Sequence, residues 1–227
     1  HRDLHSFPTR RSSDLLADGP VIQRASERAL AHRITILDCI ELAGRVRERG
    51  VQLPIILFTY YNPALQTGLE RLFQLMSRNG ISGLIIPDLP IEENEEVRAL
   101  SVRHDIHLIP LVAPTSKHRI EAIVQQAAGF VYCVSSLGVT GMRSEFDTGI
   151  ESFLQTVKNA SPVPIAIGFG ISKAEHVRRF GQICDGVIVG SALVHVIEKA
   201  LPLLKSEDRK REGLEQIYRF VRELRGA

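Results

Sequence analysis

Along this chain, short apolar runs rich in β-branched residues alternate with longer segments of helical period. The runs fall at 54–59, 83–87, 107–112, 130–134, 164–168 and 186–189. They are continuous instead of alternating in polarity, which predicts strands buried on both faces of a parallel sheet. Between them, Ile36, Cys39, Ile40, Ala43 and Val46 follow the i, i+3, i+4 spacing of a helix buried along one face. Thr35 with Asp38 resembles a capping box, and Gly50 is a suitable stop. Ser172 and Glu175 suggest a second box at the start of a later helix. Leu214, Ile217, Val221 and Leu224 stripe a C-terminal helix and predict core packing.

The spacing of strand starts is that of βα units, and six such units in a row favour a closed (β/α)8 TIM barrel. A doubly wound sheet would carry GxGxxG after its first strand, and the sequence has none there. Residues 1–15, HRDLHSFPTRRSSDL, show neither period. They lack the apolar stretch of a signal peptide and form no amphipathic helix. They read as a foreign segment joined to a domain spanning 16–227, or as a disordered natural tail.

Composition narrows the function. Net charge is +2, with 24% charged and 44% hydrophobic residues, so nothing favours nucleic acid or a membrane surface. No apolar stretch reaches the ~20 residues of a membrane span. Cys39, Cys133 and Cys184 are widely separated in apolar runs and read as buried free thiols of a cytoplasmic protein. The histidines have no metal-binding spacing, so no metal is expected.

In a barrel the chemistry belongs to the loops at the C-terminal strand ends. Three of these are glycine-rich: Gly138 to Gly141, Gly168 to Ser172, and Gly190-Ser191, which opens a helix. Glycines let backbone N–H groups approach an anion, and a helix start adds its positive dipole end. These loops read either as a phosphate cradle or as tight βα turns, and two in succession favour phosphate. Asp88 reads as an acid or as a cap on the next helix. Tyr132 reads as a pocket hydroxyl or a core aromatic. Asp18, before Gly19-Pro20, is on spacing alone a turn residue.

LADGPVIQRAS at 16–26, FTYYNP at 58–63, GLIIPDLP at 83–90, VSSLGVTG at 134–141, IAIGFGIS at 165–172 and VIVGSALV at 187–194 together resemble the tryptophan synthase alpha family. Another barrel enzyme acting on phosphorylated indole or anthranilate compounds would share the glycine loops but would not need LADGP or FTYYNP. The resemblance implies a retro-aldol lyase that cleaves indole-3-glycerol phosphate to indole and glyceraldehyde 3-phosphate. It implies that Asp18 is catalytic and engages the indole N–H, and that Tyr132 lies near the reacting glycerol carbons. Thr140 would meet Asp18 when a lid closes. Tyr60, Ile85, Phe169 and Ile188 would line the indole slot, and Gly141, Gly168, Gly170, Gly190 and Ser191 would serve the phosphate.

The resemblance also implies no cofactor in this chain and a beta-subunit partner that uses pyridoxal phosphate, in a heterotetramer of two alpha and two beta subunits. Asn62, Pro63 and Pro90 would lie at that interface. The family's acid–base glutamate has Phe7 at its position here. The expectation is therefore an incomplete barrel lacking its first two βα elements, with two unpaired sheet edges and little activity. A second reading is a non-catalytic module that binds and activates the beta subunit.

Overall fold

The computed structural model describes residues 19–116, 118–134, 149–168 and 170–226. The segment 1–15, Asp18, Thr140, Gly141 and Phe169 lie outside the described residues.

Each predicted apolar run contains strand. The strands are β1 (Ile56–Phe58), β2 (Gly83–Ile85), β3 (His107–Leu108), β4 (Leu111–Val112), β5 (Val131–Val134), β6 (Ile165–Gly168) and β7 (Gly186–Val187). Pairing runs β1-β2-β3 and β4-β5-β6-β7, always parallel and always between consecutive strands. A doubly wound sheet reverses its order at a switch point; this order never reverses, and the architecture is an incomplete (β/α)8 barrel. Among the described residues β1 pairs only with β2, and β7 only with β6.

The run at 107–112 was expected as one strand and instead changes partner midway. Ile109 N–H still donates to Leu84 O (2.9 Å), and Pro110 O already accepts from Tyr132 N–H (2.9 Å). The N–H groups of His107 and Ile109 point to the β2 side and Pro110 faces β5, where it offers its carbonyl and no N–H, so β3 serves β2 while β4 serves β5.

The described helices are α1 (Pro20–Ala31), α2 (Ile36–Glu48), α3 (Tyr61–Thr67), α4 (Leu69–Arg78), α5 (Glu95–Arg103), α6 (Ile120–Val124), α7 (Ile150–Ala160), α8 (Ala174–Phe180), α9 (Ser191–Leu204) and α10 (Lys210–Arg225). The Thr35–Asp38 box forms in both directions, and Gly50 follows α2 at φ +86°. The second box does not form. Lys173 is the N-cap of α8 with no side-chain cap, and Ser172 N–H donates to Nδ1 of buried His176 (3.3 Å). The imidazole occupies the place expected for Glu175.

Strand residues face alternately outward and inward, and both faces are covered. Outward residues build two clusters. One lies under α2 to α5 around Leu57, Leu72, Phe73 and Leu84; the other lies under α6 to α8 around Val131, Leu154, Ile165 and Phe180. Inward residues build a smaller cluster of Ile85, Ile109 and Tyr132, with Ile56, Leu111, Phe130 and Ile188 against it.

Two expectations of burial need correction. Cys39 is exposed, on the outer side of α2, while Cys133 and Cys184 are buried free thiols. The α10 stripe is only partly covered. That helix packs on α9 through Gly213, against Leu203 and Leu204, which turns Leu214 (54% exposed) and Val221 (39%) towards solvent.

Helix α1 has no fully buried residue, and its main contact is with α9. Hydrogen bonds from Arg24 and then Arg28 hold the Glu198 carboxyl of α9 well below its ordinary 4.5, at about 2. A lowered carboxylate pKa stabilises the folded state above the unfolded value and loses that contribution as pH falls through the folded one. Protection of the α1 amides, taken relative to the intrinsic exchange rate at each pH, should therefore fall selectively between about pH 4.5 and 2, and added salt should have the same effect. In the core, Leu84→Ala (0% exposed) should cost about 2–5 kcal/mol in urea unfolding. Leu214→Ala should stay within about 0.5 kcal/mol.

Candidate active site

Because every strand is parallel, the residues after each strand share one rim, and the predicted site residues sit there or just beneath it. Tyr132 lies on β5, between Leu111 of β4 and Ala166 of β6 in register. It is 7% exposed and packs in the inward cluster with Ile85 and Ile188. Burial pushes its phenol well above the ordinary value, so the hydroxyl is neutral throughout the physiological range.

Gly168, at the end of β6, has a packing reason to be glycine. A Cβ there would overlap the Tyr132 ring. Gly170 follows at φ +97°, a left-handed backbone that favours glycine. Buried Ile171 and the Ser172–His176 hydrogen bond then anchor the loop. Burial, the largest cause, lowers the His176 pKa, which keeps the ring neutral and its Nδ1 able to accept.

Gly190 and Ser191 open α9, with Gly190 as the N-cap. Among the described residues nothing lies within 4 Å of a Cβ built on Gly190, so their packing does not account for this glycine. The first turn of a 14-residue helix presents its N–H groups here. Ile188 stands two positions earlier, so one short segment joins the apolar cluster to the helix start.

On the opposite side, Tyr60 is the half-buried N-cap residue of α3. Asn62 and Pro63 lie in the first turn of that helix, and Pro90 precedes a 3-10 turn at Ile91–Glu93. Asp88 does cap a helix, although not the next one: its Oδ1 accepts from Tyr61 N–H (2.9 Å), tying the loop after β2 to the start of α3. Beside this loop a cleft of about 380 Å³ includes Asp88, Pro90, Arg98, Ser116 and Arg119. Of the candidate site residues it holds Asp88 and Pro90.

The structure thus brings Ile85, Tyr132, Gly168 and Ile188 together, and sets Gly170, Gly190 and Ser191 on the adjoining loops. Asp18, Thr140, Gly141 and Phe169 are outside the described residues. Sequence reasoning missed His176 and the pairing of Arg24 and Arg28 with Glu198. The visible signal for the latter was two arginines one helical turn apart. No group of three or more potential metal ligands occurs among the described residues.

Gly168→Ala should displace the Tyr132 ring and cost about 1–3 kcal/mol in urea unfolding. Gly190→Ala, with open space around it, should stay within about 1 kcal/mol.

Comparison with known proteins agrees with this architecture. Residues 11–227 match the family model for the tryptophan synthase alpha chain. The alpha chain of Bacillus pumilus is 53% identical over 210 residues, covering 92% of this chain and 79% of the relative. That of Bacillus subtilis strain 168 is 51% identical over 209 residues, covering 92% and 78%. Among solved structures, the tryptophan synthase a2b2 complex of Pyrococcus furiosus superposes with TM-score 0.82 at 32% identity, covering 93% of this chain and 82% of that one. The alpha chain of Legionella pneumophila gives 0.78 at 32% identity, covering 92% and 75%. A parallel sheet of consecutive neighbours, glycine-rich loops after its last two strands, and half-identical relatives across nearly all of its length make this chain a member of the tryptophan synthase alpha chain family.

Proposed function

We propose that this chain is a carbon–carbon lyase of tryptophan biosynthesis whose site takes indole-3-glycerol phosphate and opens it to indole and glyceraldehyde 3-phosphate. One observation carries the reading. The segment from Ile188 to Ser191 runs from the apolar cluster around Tyr132 directly into the start of α9. A flat apolar wall suits an indole ring, and a helix start suits a phosphate.

In this reading Ile85, Ile188, Tyr60 and Phe169 hold the ring, while Gly141, Gly168, Gly170, Gly190 and Ser191 form the phosphate end. The cleavage needs an acid to protonate indole C3 and a base to take the proton of the hydroxyl beside the breaking bond. The C–C bonding electrons then return to the ring as the glyceraldehyde carbonyl forms. Asp18 accepts from the indole N–H and stabilises the positive charge of the C3-protonated ring. Tyr132, kept neutral by burial, offers an uncharged hydroxyl to the glycerol portion. Thr140 is assigned to substrate binding in the same reading.

Phe7 stands where the family's glutamate would supply acid–base catalysis. A positioned acid–base is worth about 10²–10⁴-fold, so turnover by this chain is lower by that order. Indole release by the purified chain should trail the Bacillus subtilis alpha chain by about 10²–10⁴-fold, and Asp18→Asn should abolish what remains. Equal turnover of the two chains would refute the role given to Phe7.

The Pyrococcus furiosus structure is of an a2b2 complex. We extend that assembly to this chain, with Asn62, Pro63 and Pro90 facing a beta subunit that holds the pyridoxal phosphate, in the cytoplasm. No described helix is long and apolar enough to cross a membrane. Titrating the chain into a Bacillus beta subunit should activate tryptophan formation from indole and serine. Activation with no indole release at all would identify the chain as a binding module instead.

A further inference from the structure

The turn after β6 is held at two successive residues. Following Gly170 and its left-handed backbone, Ile171 inserts its side chain into the outer cluster under α6 to α8. That burial fixes where the chain runs but does not by itself orient the next peptide plane. The peptide joining Ile171 to Ser172 is fixed by its N–H, which donates to His176 Nδ1 (3.3 Å). His176 is 3% exposed, and its own N–H donates to Lys173 O (3.1 Å), so the acceptor is built into the first turn of α8. At the other ring nitrogen, Glu175 Oε1 lies 3.8 Å from Nε2. A proton on Nε2 faces that carboxylate and leaves the Nδ1 lone pair for Ser172. Helix α8 is itself tied to α7 by Arg179 Nε, which donates to Glu151 Oε1 (2.8 Å).

This turn stands beside the start of α9. Ile188 N–H donates to Ile167 O (2.7 Å), and Ile167 is in register with Val187. The chains leaving β6 and β7 therefore depart side by side, one into Gly170 and the other into Gly190-Ser191. Backbone N–H groups bind an anion best when they are already oriented, because no ordering is left for the ligand to bring about. We propose that His176 is a positioning residue for the phosphate end: by holding the Ser172 N–H it sets the peptide planes that follow Gly170, and with them the geometry this turn offers to a phosphate. The imidazole touches no substrate and acts only through the backbone. This inference rests on the reading of the site given above, in which Gly170, Gly190 and Ser191 take the phosphate.

The test compares two ligands by calorimetry on the full chain. Glycerol 3-phosphate needs the phosphate end, and indole needs only the apolar cluster. His176→Leu keeps the bulk and removes the acceptor; it should weaken glycerol 3-phosphate about tenfold, the order of one hydrogen bond, and leave indole within about twofold. His176→Asn places an amide oxygen near the position of Nδ1 and should recover most of the lost affinity. Nitrogen NMR of the parent chain near neutral pH should show the His176 ring as the neutral Nε2–H tautomer. Unchanged phosphate binding in His176→Leu, equal loss of both ligands, no recovery in His176→Asn, or an Nδ1–H tautomer in the parent would each overturn the positioning role. The tautomer is read on the parent chain, so a His176→Leu variant that does not fold leaves the role open to refutation. A parent chain that fails to bind glycerol 3-phosphate would instead refute the reading of the phosphate end, and this inference with it.

Discussion

The structure depends on a constraint of parallel pairing: a strand can reach its parallel neighbour only by crossing back over the sheet. With consecutive strands always adjacent, each crossing lies on the outside, and every strand releases its following loop at the same rim. Tyr60, Asp88, Gly170 and Gly190 come from four different strand ends, yet they share that rim for this reason alone. The strands are two to four residues long, too short for their ladders to hold the sheet unaided. The two outer apolar clusters hold it, and the rim is left to chemistry.

The strands were legible because burial on both faces writes itself as an uninterrupted apolar run. The capping box at Thr35 was legible because its two members are local and exposed, with nothing to compete. Ser172 and Glu175 have the same spacing, but His176 is buried beside them and takes the Ser172 N–H. The stripe on α10 showed which face is apolar without showing how deeply α9 covers it. The partner of Asp88 was hidden because the cap lies on α3, with all of α4 between the two in the chain.

The glycines of the site divide in a way the sequence could not express. Gly168 is constrained from within the protein, by a tyrosine on the neighbouring strand β5. Among the described residues nothing constrains Gly190, which suits a position kept clear for a ligand. Among the described residues the inward cluster offers one buried neutral hydroxyl, that of Tyr132, among apolar side chains. Such a surface can orient an aromatic ring but cannot itself move protons quickly.

The run from His107 to Val112 has an effect beyond its own length. It pairs with β2 through His107 and Leu108 and with β5 through Leu111 and Val112, and the outer core divides at the same place into two clusters. Each cluster is covered by its own helices and buries its own apolar side chains. The outer packing therefore has a seam, which favours local opening cluster by cluster instead of strand by strand. The chain from Ile188 into α9, with its glycine-lined helix start, belongs to one half, while Tyr60 and Asp88 belong to the other. A ligand contacting both sides of the rim would bridge the seam and raise the cooperativity of the whole fold.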